Sequence, residues 1–277
     1  MLWLNIFSLL LCVFLVTALL FVFAIMPKMK KHEWTEEMKK YRYAHRGLFS
    51  AELGIPENSL PAFRAAIENG NGFELDVHLT ADKKLVVIHD SSLKRTAGVD
   101  INVSKVTYSE IAAHGLEGTD ERVPLFDEVL ELNSGRVPMI VEMKADGNTD
   151  ELAAKVAETL KSYNGLYCVE SFAPDLVFAV KKIAPDIMRG QLACDVRREN
   201  KNFSVVGNFI LKNLLTNFLT KPDFIAYCYE DRESFTFSLC RRLFKPTEFS
   251  WTIKNAEDMK RAEENGASVI FDSFIPE

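Results

Sequence analysis

No Lys, Arg, Asp, Glu or His occurs among the first 27 residues of this 277-residue chain. No other feature restricts its architecture as strongly. Only Asn5, Ser8, Thr17 and Pro27 of that stretch fall outside the apolar set. A helix that is apolar on every face needs an apolar surrounding on every face. At about 1.5 Å rise per residue, residues 2–26 would cover roughly 37 Å, against a hydrocarbon core of ~30 Å. The sequence therefore predicts a single membrane-spanning helix over residues 1–27. A cleaved signal peptide is the competing reading, and Val22-Phe23-Ala24 resembles a small-residue cleavage site. Signal peptides, however, carry a basic start and an apolar run of about 7–15 residues.

Charge on the flanks predicts orientation. Lys28, Lys30, Lys31, Lys39, Lys40 and Arg42 follow the apolar run, while only the α-amino group precedes it. The positive-inside bias puts the globular part in the cytoplasm. The extracytoplasmic side is the alternative, because large domains translocate largely regardless of flanking charge. Residues 28–40 read as a polar, helix-prone juxtamembrane linker. Its lysines are either solvated or set against anionic headgroups.

All 33 basic and 39 acidic side chains lie beyond residue 27, giving a net charge of −6. That balance argues against a nucleic-acid partner. High apolar content along the charged part excludes disorder. Cys168, Cys194, Cys228 and Cys240 form no C-x-x-C pair, which argues against a zinc knuckle or redox dithiol. They suit either free thiols in a reducing compartment or two disulfides.

From residue 41 onward, β-rich runs alternate with helical patterns. Strands are predicted at 41–44, 73–77, 85–88, 137–143, 166–169, 187–192, 223–227, 247–253 and 268–271. Helices are predicted between most of them. The clearest is 59–69, with Ser59 as N-cap and Phe63, Ala66 and Ile67 on one face. About eight strands, most followed by helices, fit a (β/α)8 TIM barrel over residues 41–277. A doubly wound open sheet is the alternative. Residues 91–124 form a long polar insertion. Residues 196–220 form a second excursion, whose apolar run 205–219 packs on the barrel or lies on the membrane surface.

Candidate chemistry gathers at strand ends. Ala44-His45-Arg46-Gly47 sets a proton-transfer group beside an anion-binding one. In Phe73-Glu74-Leu75-Asp76-Val77, alternation turns Glu74 and Asp76 to one face and Leu75 and Val77 to the other. Two buried anions need a cation, and oxygen ligands suit Mg²⁺ or Ca²⁺. Val86-Val87-Ile88-His89-Asp90 ends another apolar run with a His. Met139-Ile140-Val141-Glu142-Met143-Lys144 adds a carboxylate and an ammonium on a core strand. His78 shares a side with Asp76 by alternation, which gives it a supporting place behind the ligands. Barrel enzymes place their sites at the C-terminal strand ends. The set suits metal-assisted phosphoryl transfer with two histidines moving protons.

These residues resemble the glycerophosphodiester phosphodiesterase family. His45-Arg46-Gly47 looks like its opening motif, and Pro56-Glu57-Asn58-Ser59 with Ala62-Phe63 like its loop-to-helix motif. Glu74-Leu75-Asp76-Val77 with Thr80, Asp82, Val87 and His89-Asp90 resembles its central signature. Glu142-Met143-Lys144 and Trp251-Thr252 are similar to its later motifs. The likeness is dense over 43–90 and thin after 144.

The resemblance implies metal-dependent hydrolysis of glycerophosphodiesters to glycerol 3-phosphate and an alcohol. His45 and His89 would be the catalytic acid/base pair. Glu74, Asp76 and Glu142 would hold one divalent cation, Mg²⁺ or Ca²⁺. Arg46, Lys144 and Trp251 would contact phosphate or substrate. Family mechanisms often invoke attack by the substrate's own glycerol hydroxyl. The insertion 91–124 would shape the substrate entrance. A lysophospholipase D-like cleavage of lysophospholipids is the alternative, and a non-catalytic membrane-bound headgroup binder is the alternative of another class. Departures occur late: Lys254 stands where the family usually has Asn, and the usual proline near Asp272 is displaced to Pro276. With the sequence stopping at Glu277, no eighth barrel helix is expected, and the linker helix is the candidate to cover that gap.

Overall fold

The computed structural model describes residues 1–198 and 200–276. Glu277, and Glu199 within the second excursion, lie outside the described residues. Nine strands form one sheet: β1 (Tyr43–Ala44), β2 (Gly72–Leu79), β3 (Leu85–Val87), β4 (Met139–Met143), β5 (Tyr167–Ser171), β6 (Arg189–Ala193), β7 (Phe224–Cys228), β8 (Thr247–Ile253) and β9 (Ser268–Phe271). Their order is β1-β9-β8-β7-β6-β5-β4-β2-β3, and pairing of β1 with β2 closes the ring. Eight of the strands pair in parallel. The chain is therefore a closed (β/α)8 barrel, and closure removes the open-sheet alternative.

The helices in chain order are α1 (Leu2–Ala24), α2 (Thr35–Met38), α3 (Leu60–Glu68), α4 (Lys94–Ala97), α5 (Tyr108–Ile111), α6 (Phe126–Asn133), α7 (Thr149–Leu160), α8 (Pro174–Ile183), α9 (Val205–Lys212), α10 (Asn217–Thr220), α11 (Phe235–Phe244) and α12 (Ala256–Glu264). Ser59 caps α3, its Oγ accepting from the Ala62 N–H at 3.3 Å.

The expectation that 85–88 forms a strand of the barrel needs correction. β3 runs antiparallel to β2, with Val77 opposite Val87 and Leu79 opposite Leu85. β2 therefore overshoots the barrel rim and β3 returns along it. The Ile88 N–H donates to the Asp76 carbonyl at 3.0 Å, so the return carries His89 back to the rim.

Period-2 alternation builds two layers. Leu75, Val77, Met139, Val141, Met143 and Val169 face outward against the helices. Tyr43, Ile140, Cys168, Met188, Phe224 and Phe249 fill the lower barrel interior. One step further along the same strands, the inward positions become Glu142 above Ile140 and Glu170 above Cys168. The interior thus changes from apolar to acidic as the strands approach the mouth.

α1 is long and apolar enough to cross a membrane, and none of its residues is buried. The linker is not merely a solvated flank. It crosses the barrel floor, from Lys28, paired with Asp223 at 2.6 Å, to Trp34, whose ring meets Tyr167 at 5.1 Å. Met38 enters the lower core, and Tyr43 Oη donates to its carbonyl at 2.7 Å. The linker helix therefore closes the floor rather than standing in for an eighth helix.

Residues 91–124 carry a small core of their own, built on Leu93, Val103, Ile111, Leu116 and Val123 under Val86 and Ile88. Among the described residues, none of the five cysteines is disulfide-bonded.

Candidate active site

The mouth of the barrel holds a cavity of about 1150 Å³, lined by His45, Arg46, Glu74, His89, Glu142, Lys144 and Trp251 among others. Asp76 lies just beneath it, fully buried. Sheet register explains the grouping. Asp76 of β2 is the partner of Glu142 on β4, which is the partner of Glu170 on β5. Glu74 lies one inward step lower on β2. Ligand oxygens of Glu74, Asp76 and Glu142 all lie within 4.8 Å of one another.

Three buried carboxylates so close repel one another unless cations intervene. Burial, then Asp76 and Glu142, pushes the Glu74 carboxyl well above its ordinary range. Burial also raises Glu142, against the pull of Lys144. Asp76 goes the other way: burial opposes its charge, but Lys144, His89 and Arg46 hold it far below the usual range. Lys144 Nζ lies 2.7 Å from Asp76 Oδ1 and 2.6 Å from Glu142 Oε1. Asn58 adds a further tie, donating from Nδ2 to Asp76 Oδ2 at 2.7 Å.

Arg46 is set by a tight turn after β1. Gly47 has φ +81°, and a Cβ there would stand 2.8 Å from the Ala62 backbone of α3. The turn aims the Arg46 N–H at Glu74 Oε2, 3.0 Å away. Its guanidinium bonds Glu57 at 3.0 Å and lies 3.6 Å from Asp76.

Both histidines are backed by aspartates. His45 Nδ1 lies 3.2 Å from Asp272 Oδ2, and His89 Nδ1 lies 2.6 Å from Asp90 Oδ1. A carboxylate on Nδ1 fixes a tautomer that leaves Nε2 to accept a proton. Burial lowers the His45 imidazole, with Asp272 pulling it back up. Burial lowers His89 to about 4, against Asp76. Burial opposes the Asp90 charge, yet Arg95 and His89 hold its carboxyl at about 2.

Arg95 comes from the insertion, bonding Asp90 Oδ2 at 2.7 Å and Glu57 Oε1 at 2.7 Å. The resemblance implied that residues 91–124 shape the entrance. Of them only Ser91 lines the cavity, because their apolar residues are spent on their own core. The wall comes from the second excursion instead, through Val196, Phe203, Gly207, Ile210 and Leu211.

His78 is buried, with Nδ1 2.8 Å from Asp146 Oδ2 and Nε2 3.1 Å from the His89 carbonyl. It supports the segment bearing His89. The Trp251 ring meets Phe172 edge-on at 5.5 Å on the opposite wall.

Sequence reasoning gave no role to Asp272, Asp90, Asn58, Arg95 or Glu170. Barrel closure is the signal for Asp272. It puts the ends of the first and last strands side by side, with the His45 N–H on the Phe271 carbonyl at 2.8 Å. The same inward alternation that selected Glu142 selects Glu170. No local pattern singles out Arg95.

The donor set at the triad is all oxygen, and Glu74 Oε1 is buried with no hydrogen-bond partner. That fits a hard divalent cation.

The family model described as "Glycerophosphoryl diester phosphodiesterase family" matches residues 45–275. "Uncharacterized protein YqiK" of Bacillus subtilis (strain 168) is 30% identical over 243 residues, 84% of this chain and 94% of that one. "Lysophospholipase D GDPD1" of Rattus norvegicus is 36% identical over 145 residues. That match covers 46% of this chain and 44% of the relative, so the chain spans under half of that relative's length. Among solved structures, an Oleispira antarctica phosphodiesterase in complex with the product sn-glycerol-3-phosphate superimposes with a TM-score of 0.69 at 21% identity, over 86% of this chain and 94% of that one.

Proposed function

The chain belongs to the glycerophosphoryl diester phosphodiesterase family, and on that premise we propose that it hydrolyses glycerophosphodiesters to glycerol 3-phosphate and an alcohol. The observation that carries this reading is the meeting, at one barrel mouth, of three carboxylates within 4.8 Å and two aspartate-backed histidines.

Glu74, Asp76 and Glu142 would hold one divalent cation, Mg²⁺ or Ca²⁺. Bound there, it neutralises phosphate charge and polarises the phosphorus centre. Arg46 and Lys144 supply the positive charge that draws the diester in and stabilises its transition state. Lys144 would do so while paired with Asp76 and Glu142, two of the residues that would hold the cation. His89, whose ring burial keeps neutral, takes a proton from the attacking oxygen as its bond to phosphorus forms. His45, entering as the imidazolium that Asp272 stabilises, gives its Nε2 proton to the departing alcohol oxygen as the old bond breaks. Trp251 and Phe172 offer flat apolar faces to the glycerol or alcohol moiety.

A lysophospholipid is the second substrate reading. Apolar side chains of the cavity wall favour it: Leu192, Phe203, Ile210 and Leu211 line the site, interspersed with Asp195 and Arg198. α1 would anchor the barrel to a membrane, and the lysines after it favour the cytoplasmic side.

The deciding experiment is choline release from glycerophosphocholine and from dispersed lysophosphatidylcholine, each with Mg²⁺ and with Ca²⁺. Release from glycerophosphocholine is expected. Release from the lysolipid alone would replace the first substrate by the second. No release from either with either cation would leave a headgroup-binding protein.

A further inference from the structure

Followed backward from its C-terminal end, α1 climbs the outside of β7. The Lys28 N–H donates to Pro222 O at the N-terminal end of that strand, at 3.1 Å. Higher up, Asn217 Nδ2 donates to Ile25 O at 3.0 Å, and Phe23 meets the Phe218 ring at 5.5 Å. Phe21 and Leu215 pack on the cluster that joins Ile25 to Ile225 and Tyr227 of β7 and to Cys240 of α11. α1 therefore leaves the barrel on the side where the cavity opens.

α9 lies on that side with two faces. Gly207, Ile210 and Leu211 line the cavity. Val205, Val206 and Phe209 are exposed by 66%, 68% and 55%. At about 100° per residue these three occupy one sector of the helix. Phe235, 77% exposed, extends the edge, since neighbouring Thr236 donates to Asn213 Oδ1 at 2.6 Å just beyond α9. Large apolar side chains exposed along one edge mark a contact with a partner or a membrane.

The course of α1 identifies the partner. Its residues 2–17 stand clear of the domain, and a bilayer that takes them up lies against the side of the barrel from which they leave. The apolar edge is on that side, so the surface it faces is the bilayer.

We infer that the cavity side of the barrel rests on the bilayer, with Val205, Val206, Phe209 and Phe235 seated at the headgroup–acyl boundary. The inference rests on the reading of α1 as a membrane anchor. Immersed this way, α9 acts as an interfacial element. Its inner face sets one wall of the cavity at headgroup depth, which opens the site to lysolipids in the leaflet as well as to soluble diesters.

The full chain, reconstituted in phosphatidylcholine–phosphatidylglycerol vesicles, tests this by photocrosslinking. p-Benzoylphenylalanine replaces, one at a time, Phe14 within α1, Phe209, Phe235, and the exposed Lys161 beyond α7. Mass spectrometry then reads lipid adducts. Adducts are expected at positions 14, 209 and 235 and not at 161. Adducts at 14 with none at 209 and 235 would overturn the surface while leaving the anchor. Absence of adducts at 14 would overturn the anchor and the surface with it. Crosslinked dimers at 209 or 235 would give the edge to a second copy of the chain and overturn the proposal.

Discussion

Asp76 and Glu142 are register partners on adjacent parallel strands, and a single ammonium joins them: Lys144 Nζ lies 2.7 Å from one and 2.6 Å from the other. Breaking a buried ion pair by removing one partner costs about 3–5 kcal/mol, because the remaining charge is left uncompensated. Lys144→Met is therefore expected to unfold at a markedly lower temperature in chelator. Mg²⁺ or Ca²⁺ should recover more of its stability than it adds to the parent chain, since the cation then has two unpaired carboxylates to serve. Calorimetry with and without each ion checks both points. Equal melting temperatures in chelator would contradict the bridge.

Removing either imidazole separates chemistry from folding. His45→Ala and His89→Ala are each expected to lower kcat/KM by about 10²–10⁴-fold, the usual weight of general acid–base catalysis. Neither ring belongs to the carboxylate triad, so metal binding followed by isothermal calorimetry should change little. Near-normal turnover by either variant would remove that ring from the proton-transfer pair.

The environment of His89 fixes an acid limb. Burial lowers its imidazole from 6.5 to about 4, so the ring stays neutral, ready to accept a proton, well below neutrality. kcat/KM should therefore hold from pH 7 down to about 5 and fall only nearer 4. The stability effect has a definite sign. The unfolded chain binds this proton first as pH falls, so the contribution of His89 is intact above 6.5 and is lost between 6.5 and about 4. His89→Asn should flatten the stability profile across that window. An activity inflection at 6.5 would contradict the burial argument.

Much of this was legible in the sequence because it is periodic. Alternation alone turned Glu74 and Asp76 inward and Leu75 and Val77 outward, and the structure has them so. The apolar content of α1 also needed no tertiary information. What escaped was set by closure and by distant segments. Asp272 backs His45 across a sequence separation of 227 residues. Arg95 reaches Glu57 and Asp90 from an insertion with no periodic pattern. β3 read as a barrel strand because burial looks the same in either direction; only pairing distinguishes antiparallel from parallel.

One packing feature of the barrel interior gives a sharp test of the fold. Gly190 of β6 faces inward at the level of Glu170, and the Phe224 ring of β7 fills the space a side chain would take. A Cβ there would stand 2.1 Å from Phe224 Cε2 and 2.2 Å from Cζ. The ring cannot swing away freely, because it is fully buried and packs on Phe249 with ring centres 4.8 Å apart. Overpacking of this kind costs about 1–3 kcal/mol. Gly190→Ala should lower the melting temperature accordingly, and adding Phe224→Leu should recover part of the loss. Gly147→Ala is the control, since its Cβ would meet nothing nearer than Ser104 Cβ at 4.0 Å. Denaturant unfolding of the three variants beside the parent chain checks the series. A neutral Gly190→Ala would mean that the Phe224 ring does not occupy the barrel interior at that level.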